Sequence, residues 1–200
     1  MIAIVDYGMG NLRSVEKVFE SIGAQVKVTH NRDDISSAER IVLPGVGAIR
    51  PAVERLGQLD LVSSIKEAIG KGIPFLGICL GFQLLFEESD EGGSVQGLGI
   101  LAGSVDKFPN SVKVPHMGWN QLKLKRQDCA LFKGIDFPVS VYFCHSYYVN
   151  PTDECIVATS TEYACEFASS ICMDNIFGVQ FHPEKSQEEG LRILKNFMEL

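Results

Sequence analysis

The sequence carries one thiol whose surroundings favour chemistry, that of Cys79 in the run Gly77-Ile78-Cys79-Leu80-Gly81. The run follows the strand-like segment Phe75–Ile78 and leads into an apolar helical pattern that begins near Leu80 and carries residues 83–86. A cysteine in an apolar run is by default a buried core residue, but flanking glycines between a strand and a helix are typical of a nucleophile elbow. We therefore predict that Cys79 is a nucleophile at a helix N-terminus. The backbone N–H of Leu80 would point at a developing oxyanion.

A thiol nucleophile needs a base, and the strongest candidate among the four histidines is His182. Pro183 biases the preceding residue towards extended geometry, and residues two apart in an extended segment face the same side. His182 and Glu184 are therefore expected to project together. A carboxylate beside the imidazole can hold one ring nitrogen as a donor and leave the other to take the thiol proton. A His-x-Glu pair alone is more often an exposed polar pair, but with the elbow upstream it predicts a Cys79–His182–Glu184 triad.

Other polar positions are less specific. Gln83 stands one helical turn after Cys79, and its amide must find a partner, which is either a substrate or a backbone carbonyl. A strand ends at residues 43–48 with two glycines, Gly45 and Gly47, and such a loop can direct N–H groups at a ligand or be only a turn.

The remaining histidines are weaker candidates. His30 is expected on the surface, and His116 is expected to be structural or interfacial. His145 should face away from its neighbour Cys144, because adjacent residues of a strand point to opposite sides.

Alternating strand and helix patterns must position these residues. In the first half, strands are predicted at Ile2–Val5, Gln25–Thr29, Arg40–Leu43 and Phe75–Ile78, with helices at residues 12–22 and 61–69 between them. In the second half, strands are predicted at Val114–Gln121, Val139–Phe143, Ile156–Ser160, Phe167–Met173 and Ile176–Phe181. We predict an α/β fold with a mainly parallel central sheet flanked by helices and an added antiparallel region.

A final helix is predicted from a capping box formed by Ser186 and Glu189. Its residues Leu191, Leu194, Phe197 and Met198 are expected to face the core. No linker-like segment divides the chain, so residues 1–200 are predicted to form a single domain.

Bulk properties narrow the function further. The net charge of −7 argues against general nucleic-acid or anionic-membrane binding, and no apolar stretch is long enough to span a bilayer. The six cysteines include no CxxC pair, so neither a zinc site nor another metal is predicted. Five of them are expected to be reduced and structural, and the cytoplasm is the expected location.

The residues around Cys79 and His182 resemble those of the triad-type (class I) glutamine amidotransferases. Four segments further resemble the glutaminase-subunit family of imidazole glycerol phosphate synthases, from histidine biosynthesis. They are Asp6–Leu12, Pro44–Gly47, Pro115–Asn120 and Phe181–Ser186. Phe82 departs from the methionine expected after the elbow, but it replaces one apolar residue with another.

The resemblance implies hydrolysis of glutamine to glutamate and ammonia through a Cys79 thioester, without a cofactor. It assigns Gly47 and Gln83 to glutamine binding, and the Pro44–Gly47 segment to a second oxyanion donor beside the N–H of Leu80. It also implies a heterodimer with a (β/α)8-barrel cyclase, which uses the ammonia to form imidazole glycerol phosphate and aminoimidazole carboxamide ribotide. Four residues would lie towards that partner. They are Asn11, Trp119, Asn120 and Lys185.

Alternative functions follow from the same elbow and triad, which serve any acyl transfer. One alternative is another class I amidotransferase subunit. A second is a stand-alone γ-glutamyl hydrolase or cysteine peptidase, which should turn over at its full rate without a partner. A third is a catalytically inactive binding module, against which the intact Cys79, His182 and Glu184 argue.

Overall fold

A mixed sheet of thirteen strands forms the centre of the computed structural model, which describes residues 1–200. The elements of the first half are β1 (Ile2–Val5), α1 (Leu12–Ser21), β2 (Val26–Thr29), α2 (Arg32–Ser36), β3 (Arg40–Gly45), α3 (Ile49–Gln58), α4 (Leu61–Gly70), β4 (Phe75–Cys79), α5 (Leu80–Gln83), β5 (Phe86–Ser89) and β6 (Val95–Gln96). Those of the second half are β7 (Leu101–Lys107), β8 (His116–Leu124), β9 (Val139–His145), β10 (Tyr147–Pro151), β11 (Val157–Tyr163), β12 (Cys165–Met173), β13 (Ile176–Val179) and α6 (Gln187–Met198).

The parallel part of the sheet has the order β2-β1-β3-β4-β13. Strands β1, β3, β4 and β13 are almost continuously apolar because both of their faces are covered, whereas the edge strand β2 is partly exposed. Ile2 and Ile4 of β1 pack in the same cluster as buried residues of α1 and α6, whereas Ala3 and Val5 pack in the cluster that holds buried residues of α2, α3 and α4. This alternation follows from the two-residue period of a strand.

The remaining strands add a mostly antiparallel extension. β13 pairs with β12, which pairs with both β10 and β11, and β8 joins β11 to β9. β10 pairs with β7, and only the β5–β7 pair in this part is parallel. The structure therefore confirms the predicted fold class.

Several local predictions differ from the structure. The helix after Cys79 ends at Gln83 and does not continue to Phe86, which begins β5. The capping box is wrong, because the Ser186 hydroxyl makes no cap and instead donates to the His182 carbonyl (2.7 Å) and accepts from the Tyr142 N–H (3.0 Å). Elements α2, α3, β5, β6, β7 and β10 were not predicted.

The last helix, α6, lies where it was predicted, and Leu194 and Phe197 are buried together with Ile193. All six cysteines are free. No helix combines the length and the apolar character that crossing a membrane requires.

Candidate active site

Cys79 lies at the junction of β4 and α5 with a backbone φ of +54° and ψ of −109°. A positive φ is unfavourable for a residue with a Cβ atom, so the surrounding packing must enforce it. The neighbouring glycines show how tight this packing is. A Cβ on Gly81 would overlap the Leu43 carbonyl oxygen, and one on Gly77 would lie 2.7 Å from the Gly81 oxygen. The predicted elbow is therefore present, and both glycines are required by close backbone approach.

The helix that follows the elbow is only four residues long. A helix dipole can stabilise negative charge at the N-terminus of a helix, but a single turn aligns few peptide dipoles. The positive partner for the sulfur must therefore come mainly from a side chain.

His182 is in the position to be that partner. His182 and Cys79 line the same cavity, of about 210 Å³, and the His182 Nδ1 atom lies 2.9 Å from Glu184 Oε1. The side chains of this pair are only 4% and 1% exposed. Pro183–Lys185 is a 3₁₀ turn. The predicted proximity of His182 and Glu184 is therefore confirmed, as is the extended conformation of His182 (φ −101°, ψ 94°), but the chain turns after His182 instead of continuing as an extended segment.

The pKa of His182 reflects this environment. Burial lowers the pKa, but interactions with the Cys79 and Glu184 side chains outweigh burial and raise it to about 10. An imidazolium is thus stabilised beside the thiol and the carboxylate. The second carboxylate oxygen, Oε2 of Glu184, is buried without a protein hydrogen bond, so the carboxylate makes its one bond to the imidazole.

The predicted substrate-binding residues also lie at the cavity. Gly47, Leu80 and Gln83 all line it, and Gly47 adopts a φ of +96°. The Gln83 amide donates 2.9 Å to the Tyr147 carbonyl and 3.0 Å to Gln180 Oε1. Of the two partners considered for this amide, the structure therefore shows the backbone carbonyl.

Sequence reasoning missed two residues at this site. The Gln180 side chain is fully buried and its Nε2 lies 3.7 Å from Cys79 Sγ. The signal for Gln180 was a polar residue at the end of the apolar run 176–181. Glu91 lines the cavity, and its Oε2 accepts a hydrogen bond from the Ile49 N–H at 2.7 Å. Glu91 lies in a turn 12 positions after Cys79, and no local pattern marked it.

The four residues predicted to face a partner have different surroundings. Lys185 lines the cavity and its ammonium lies 5.8 Å from the centre of the Tyr142 ring. Trp119 is 50% exposed and packs against the same Tyr142 ring at 6.2 Å. Asn11 accepts a hydrogen bond from the Ser14 hydroxyl at the start of α1. Asn120 contacts His116 through a hydrogen bond of 3.2 Å.

The other histidines behave as two classes. His30 is exposed, as predicted. His116 and His145 are buried and joined by a 3.0 Å hydrogen bond. His145 points into this pair, whereas the backbone oxygen of Cys144 lies 4.0 Å from Cys79 Sγ. Burial alternates along β9, with His145 buried and Cys144 partly exposed, which agrees with the predicted opposite orientation of the two side chains.

Comparison with known proteins identifies the family. The family model "Glutamine amidotransferase class-I" matches residues 3–200. The chain belongs to the class-I glutamine amidotransferases. This class-I amidotransferase is 53% identical to the imidazole glycerol phosphate synthase subunit HisH of Moorella thermoacetica, over 100% of this chain and 94% of that protein. It is 49% identical to the HisH subunit of Methanocaldococcus jannaschii, over 100% of both chains.

Solved structures support the fold of this class-I amidotransferase. The structure of PurLQS from Thermotoga maritima contains a chain that superposes with a TM-score of 0.78 at 19% identity, over 99% of this chain and 97% of that one. As a member of its family, the chain is a glutamine-hydrolysing enzyme.

Proposed function

We infer that this amidotransferase is the glutaminase subunit of an imidazole glycerol phosphate synthase, with Cys79, His182 and Glu184 as its catalytic residues. The observation that carries the triad is that the thiol and the imidazole share one cavity, while a buried carboxylate holds the far ring nitrogen at 2.9 Å. The subunit assignment is supported by relatives of that name that are 49% and 53% identical over the whole chain.

The proposed reaction begins with transfer of the thiol proton to His182. The Cys79 sulfur attacks the side-chain amide carbon of glutamine and forms a tetrahedral intermediate. His182 then protonates the amide nitrogen, and the C–N bond breaks. Ammonia departs, and a γ-glutamyl thioester remains on Cys79. Water, deprotonated by His182, hydrolyses the thioester to glutamate and regenerates the thiol. Glu184 keeps the imidazole oriented and stabilises its protonated form throughout.

The cavity residues supply the remaining contacts in this proposal. The backbone N–H groups of Leu80 and Gly47 are the proposed oxyanion donors, because both residues line the cavity beside the sulfur. Gln83 contributes to the wall of the glutamine pocket. Glu91 offers a carboxylate at the same cavity, which suits the α-ammonium of glutamine.

The proposed partner is a cyclase subunit with a (β/α)8 barrel, which forms a heterodimer with this chain and consumes the ammonia. Met117 and Trp119 on β8 are 61% and 50% exposed, an unusual exposure for large apolar side chains. Trp119 connects to the cavity through Tyr142 and Lys185. This continuity supports placing the partner over Trp119 and Lys185, with Asn11 and Asn120 nearer its edge.

Two further statements belong to the proposal. All 200 residues form one domain, because β12 and β13 join the parallel and antiparallel parts of one sheet. The cytoplasm is the proposed location, because this chain must be in the same compartment as the biosynthetic cyclase.

Glutamine turnover with and without the cyclase tests this function. We expect Cys79→Ala to abolish glutamine hydrolysis in the complex, while the variant complex still forms both products from free ammonia. Cys155→Ala, a change of the same type at an exposed position, should retain wild-type turnover. Residual glutaminase activity in Cys79→Ala would contradict the triad.

The same assay separates the alternatives. A glutaminase subunit is expected to be stimulated when the cyclase and its nucleotide ligand are added. A stand-alone γ-glutamyl hydrolase would reach its full rate alone, and another class-I subunit would not respond to this cyclase. An unstimulated wild-type protein would therefore overturn the subunit assignment while leaving the triad intact.

A further inference from the structure

A continuous chain of hydrogen bonds connects the Cys79 sulfur with a side chain on β8. From the sulfur outward, its members are Gln180, Gln83, the Tyr147 carbonyl, His145, His116 and Asn120. The chain is separate from the His182–Glu184 pair. Every link between its members is between 2.7 and 3.2 Å, and the final contact to sulfur is 3.7 Å.

The direction of every link is set by the Tyr147 carbonyl, which can only accept. His145 Nδ1 lies 2.7 Å from this oxygen and Gln83 Nε2 lies 2.9 Å from it, so both nitrogens must carry the hydrogen. The carbonyl therefore determines both the His145 tautomer and the orientation of the Gln83 amide.

Towards β8, the two histidines continue the same donor–acceptor direction. Burial lowers the pKa of His145 to about 3 and that of His116 to about 4, so both are neutral near pH 7. His145 Nε2 is then an acceptor, and His116 Nδ1 donates to it at 3.0 Å. His116 Nε2 in turn accepts from Asn120 Nδ2 at 3.2 Å. The same Asn120 nitrogen donates to the Glu162 carbonyl at 3.1 Å, which excludes the flipped amide.

Towards the nucleophile, the donor–acceptor direction of the hydrogen bonds is fixed as far as the Cys79 sulfur. The second hydrogen of Gln83 Nε2 is donated to Gln180 Oε1 at 3.0 Å. Gln180 must therefore present its Nε2–H, rather than its oxygen, to Cys79 Sγ. Gln180 follows β13 directly, and the parallel register of β13 with β4 (Val179 beside Ile78) places it beside Cys79.

We propose that Gln180 is a catalytic residue whose amide donates a hydrogen bond to the Cys79 sulfur, and that Gln83, His145 and His116 are positioning residues that hold this amide in its donating orientation. An N–H directed at sulfur stabilises the thiolate as His182 takes the proton, whereas a flipped amide would direct a carbonyl oxygen at the anion. Gln180 has no basic atom to accept that proton, so His182 keeps the role of base. The proposal rests on the proposed function of Cys79 as nucleophile.

The tautomers can be tested on the wild-type protein. Nitrogen-15 NMR of histidine-labelled protein at pH 7 should show His116 and His145 both neutral and both protonated at Nδ1. Most free neutral imidazole carries its proton at Nε2, so this result is not expected by default. An Nε2-protonated His145 would overturn the proposed polarity.

The sulfur contact can be tested by alkylation of Cys79 with iodoacetamide, followed by peptide mass spectrometry. Gln180→Met keeps the side-chain length but removes the donor, and we expect the alkylation rate at pH 7 to fall by about tenfold or more. Asn175→Leu removes another amide that donates to two carbonyls near the opposite end of β13, and should leave Cys79 alkylation unchanged. Equal rates for Gln180→Met and the wild type would overturn the proposal.

A second substitution distinguishes a donor from a packing residue. The carboxyl group of Gln180→Glu can donate to sulfur only while it is protonated. The ratio of its alkylation rate to that of the wild type should therefore fall as pH rises from about 5 to about 8. A ratio that does not change with pH would indicate a packing role.

The positioning residues are tested in the complex with the cyclase. His116→Phe interrupts the chain, and we expect kcat for glutamine hydrolysis to fall by about tenfold with little change in KM. His116→Gln can both donate to His145 and accept from Asn120, so it should restore most of kcat. Failure of glutamine hydrolysis in the wild-type complex would contradict the proposed function, whereas the alkylation and NMR results test the hydrogen-bond chain without glutamine or partner.

Discussion

At the residue scale, the Glu184 carboxylate is the most constrained charge of the site. Its side chain is 1% exposed, one oxygen bonds His182 at 2.9 Å, and the other has no protein partner. A buried carboxylate with a single bond is unfavourable for stability unless a nearby positive charge offsets its desolvation. The Cys79 and Glu184 side chains together raise the pKa of His182 against the effect of burial. The pair therefore favours the imidazolium that the proposed mechanism requires.

The Glu184→Gln variant tests this coupling. Glutamine keeps the size and an acceptor oxygen but removes the charge, so the pKa of His182 should fall from about 10. We expect kcat for glutamine hydrolysis to fall by about 10² to 10⁴-fold. An NMR titration of His182 and steady-state kinetics in the cyclase complex measure the two effects. Glu188→Gln, at an exposed position of α6, is the matched control, and an unchanged kcat in Glu184→Gln would contradict the orienting role.

Local patterns allowed the triad to be predicted, but not its surroundings. Cys79, His182 and Glu184 each stand in a short run whose residue types carry the chemistry. Gln180 acquires its role only through a sulfur 101 positions away, which the register of β13 against β4 brings close. Gln83 was found, but its partners are 64 and 97 positions distant, so its contacts could not be read from the sequence.

At the element scale, the elbow depends on how closely β3, β4 and α5 approach one another. Cβ atoms added at Gly45, Gly77 or Gly81 would all meet backbone or side-chain atoms of these elements or of Tyr7 at 3.0 Å or less. Glycine is needed here for close packing rather than for conformational freedom, since none of the three has a positive φ. The strained φ of Cys79 is maintained by this contact network.

Gly81→Ala should therefore disrupt both stability and activity. The added methyl group would overlap the Leu43 carbonyl oxygen. Because this oxygen belongs to the backbone, the overlap can be relieved only if β3 or α5 moves. We expect the free energy of unfolding to fall by about 3 kcal/mol or more and glutamine hydrolysis to be lost. Gly57→Ala in α3, where a Cβ meets nothing within 4 Å, should be neutral or stabilising by about 0.5–1 kcal/mol. Equal urea midpoints for the two variants would contradict this account.

Helices and strands, like the site residues, could be predicted where local sequence determines them and not where tertiary contacts do. Strands β1, β3 and β4 are apolar runs and helices α1, α4 and α6 carry apolar residues at helical spacing, so the sequence predicts them within a few residues. The helix after Cys79 was predicted too long because Leu84, Leu85 and Phe86 continue the apolar pattern, yet backbone bonds of this segment with residues 97–101 turn it into β5. Ser186 has the sequence of a cap, but tertiary contacts with Tyr142 and His182 use its hydroxyl instead.

At the scale of the whole molecule, the candidate active site lies where the two parts of the sheet meet. The parallel part contributes Cys79 and Gly47, whereas Cys144 and Tyr147 of the antiparallel part complete the cavity wall. The buried His116–His145 pair lies within this antiparallel part, between β8 and β9. The pair supports the cavity wall, because His145 holds the Tyr147 carbonyl, and it connects the stability of this region to pH.

The sign of that connection follows from burial. Desolvation lowers the pKa of His116 to about 4 and of His145 to about 3, from an ordinary value near 6.5. Aromatic rings of Tyr163 and Phe143 stack on His116 at 4.0 and 4.8 Å. Besides burial, the hydrogen bond to the Tyr147 carbonyl raises the pKa of His145, and repulsion from His116 and then His182 lowers it. Between pH 6.5 and about 4 the unfolded chain therefore binds protons that the folded protein does not.

We accordingly expect the free energy of unfolding to fall as pH decreases below 6.5, by up to about 1.4 kcal/mol per pH unit for each histidine. Urea unfolding between pH 4 and pH 8 measures this slope. His116→Gln preserves both hydrogen bonds but has no titratable ring. The slope of its unfolding free energy against pH should therefore correspond to about one bound proton fewer than that of the wild type. His30→Gln, at an exposed position, should keep the wild-type slope. A wild-type stability that is flat from pH 7 to pH 5 would show that the pair is accessible to protons in the folded state.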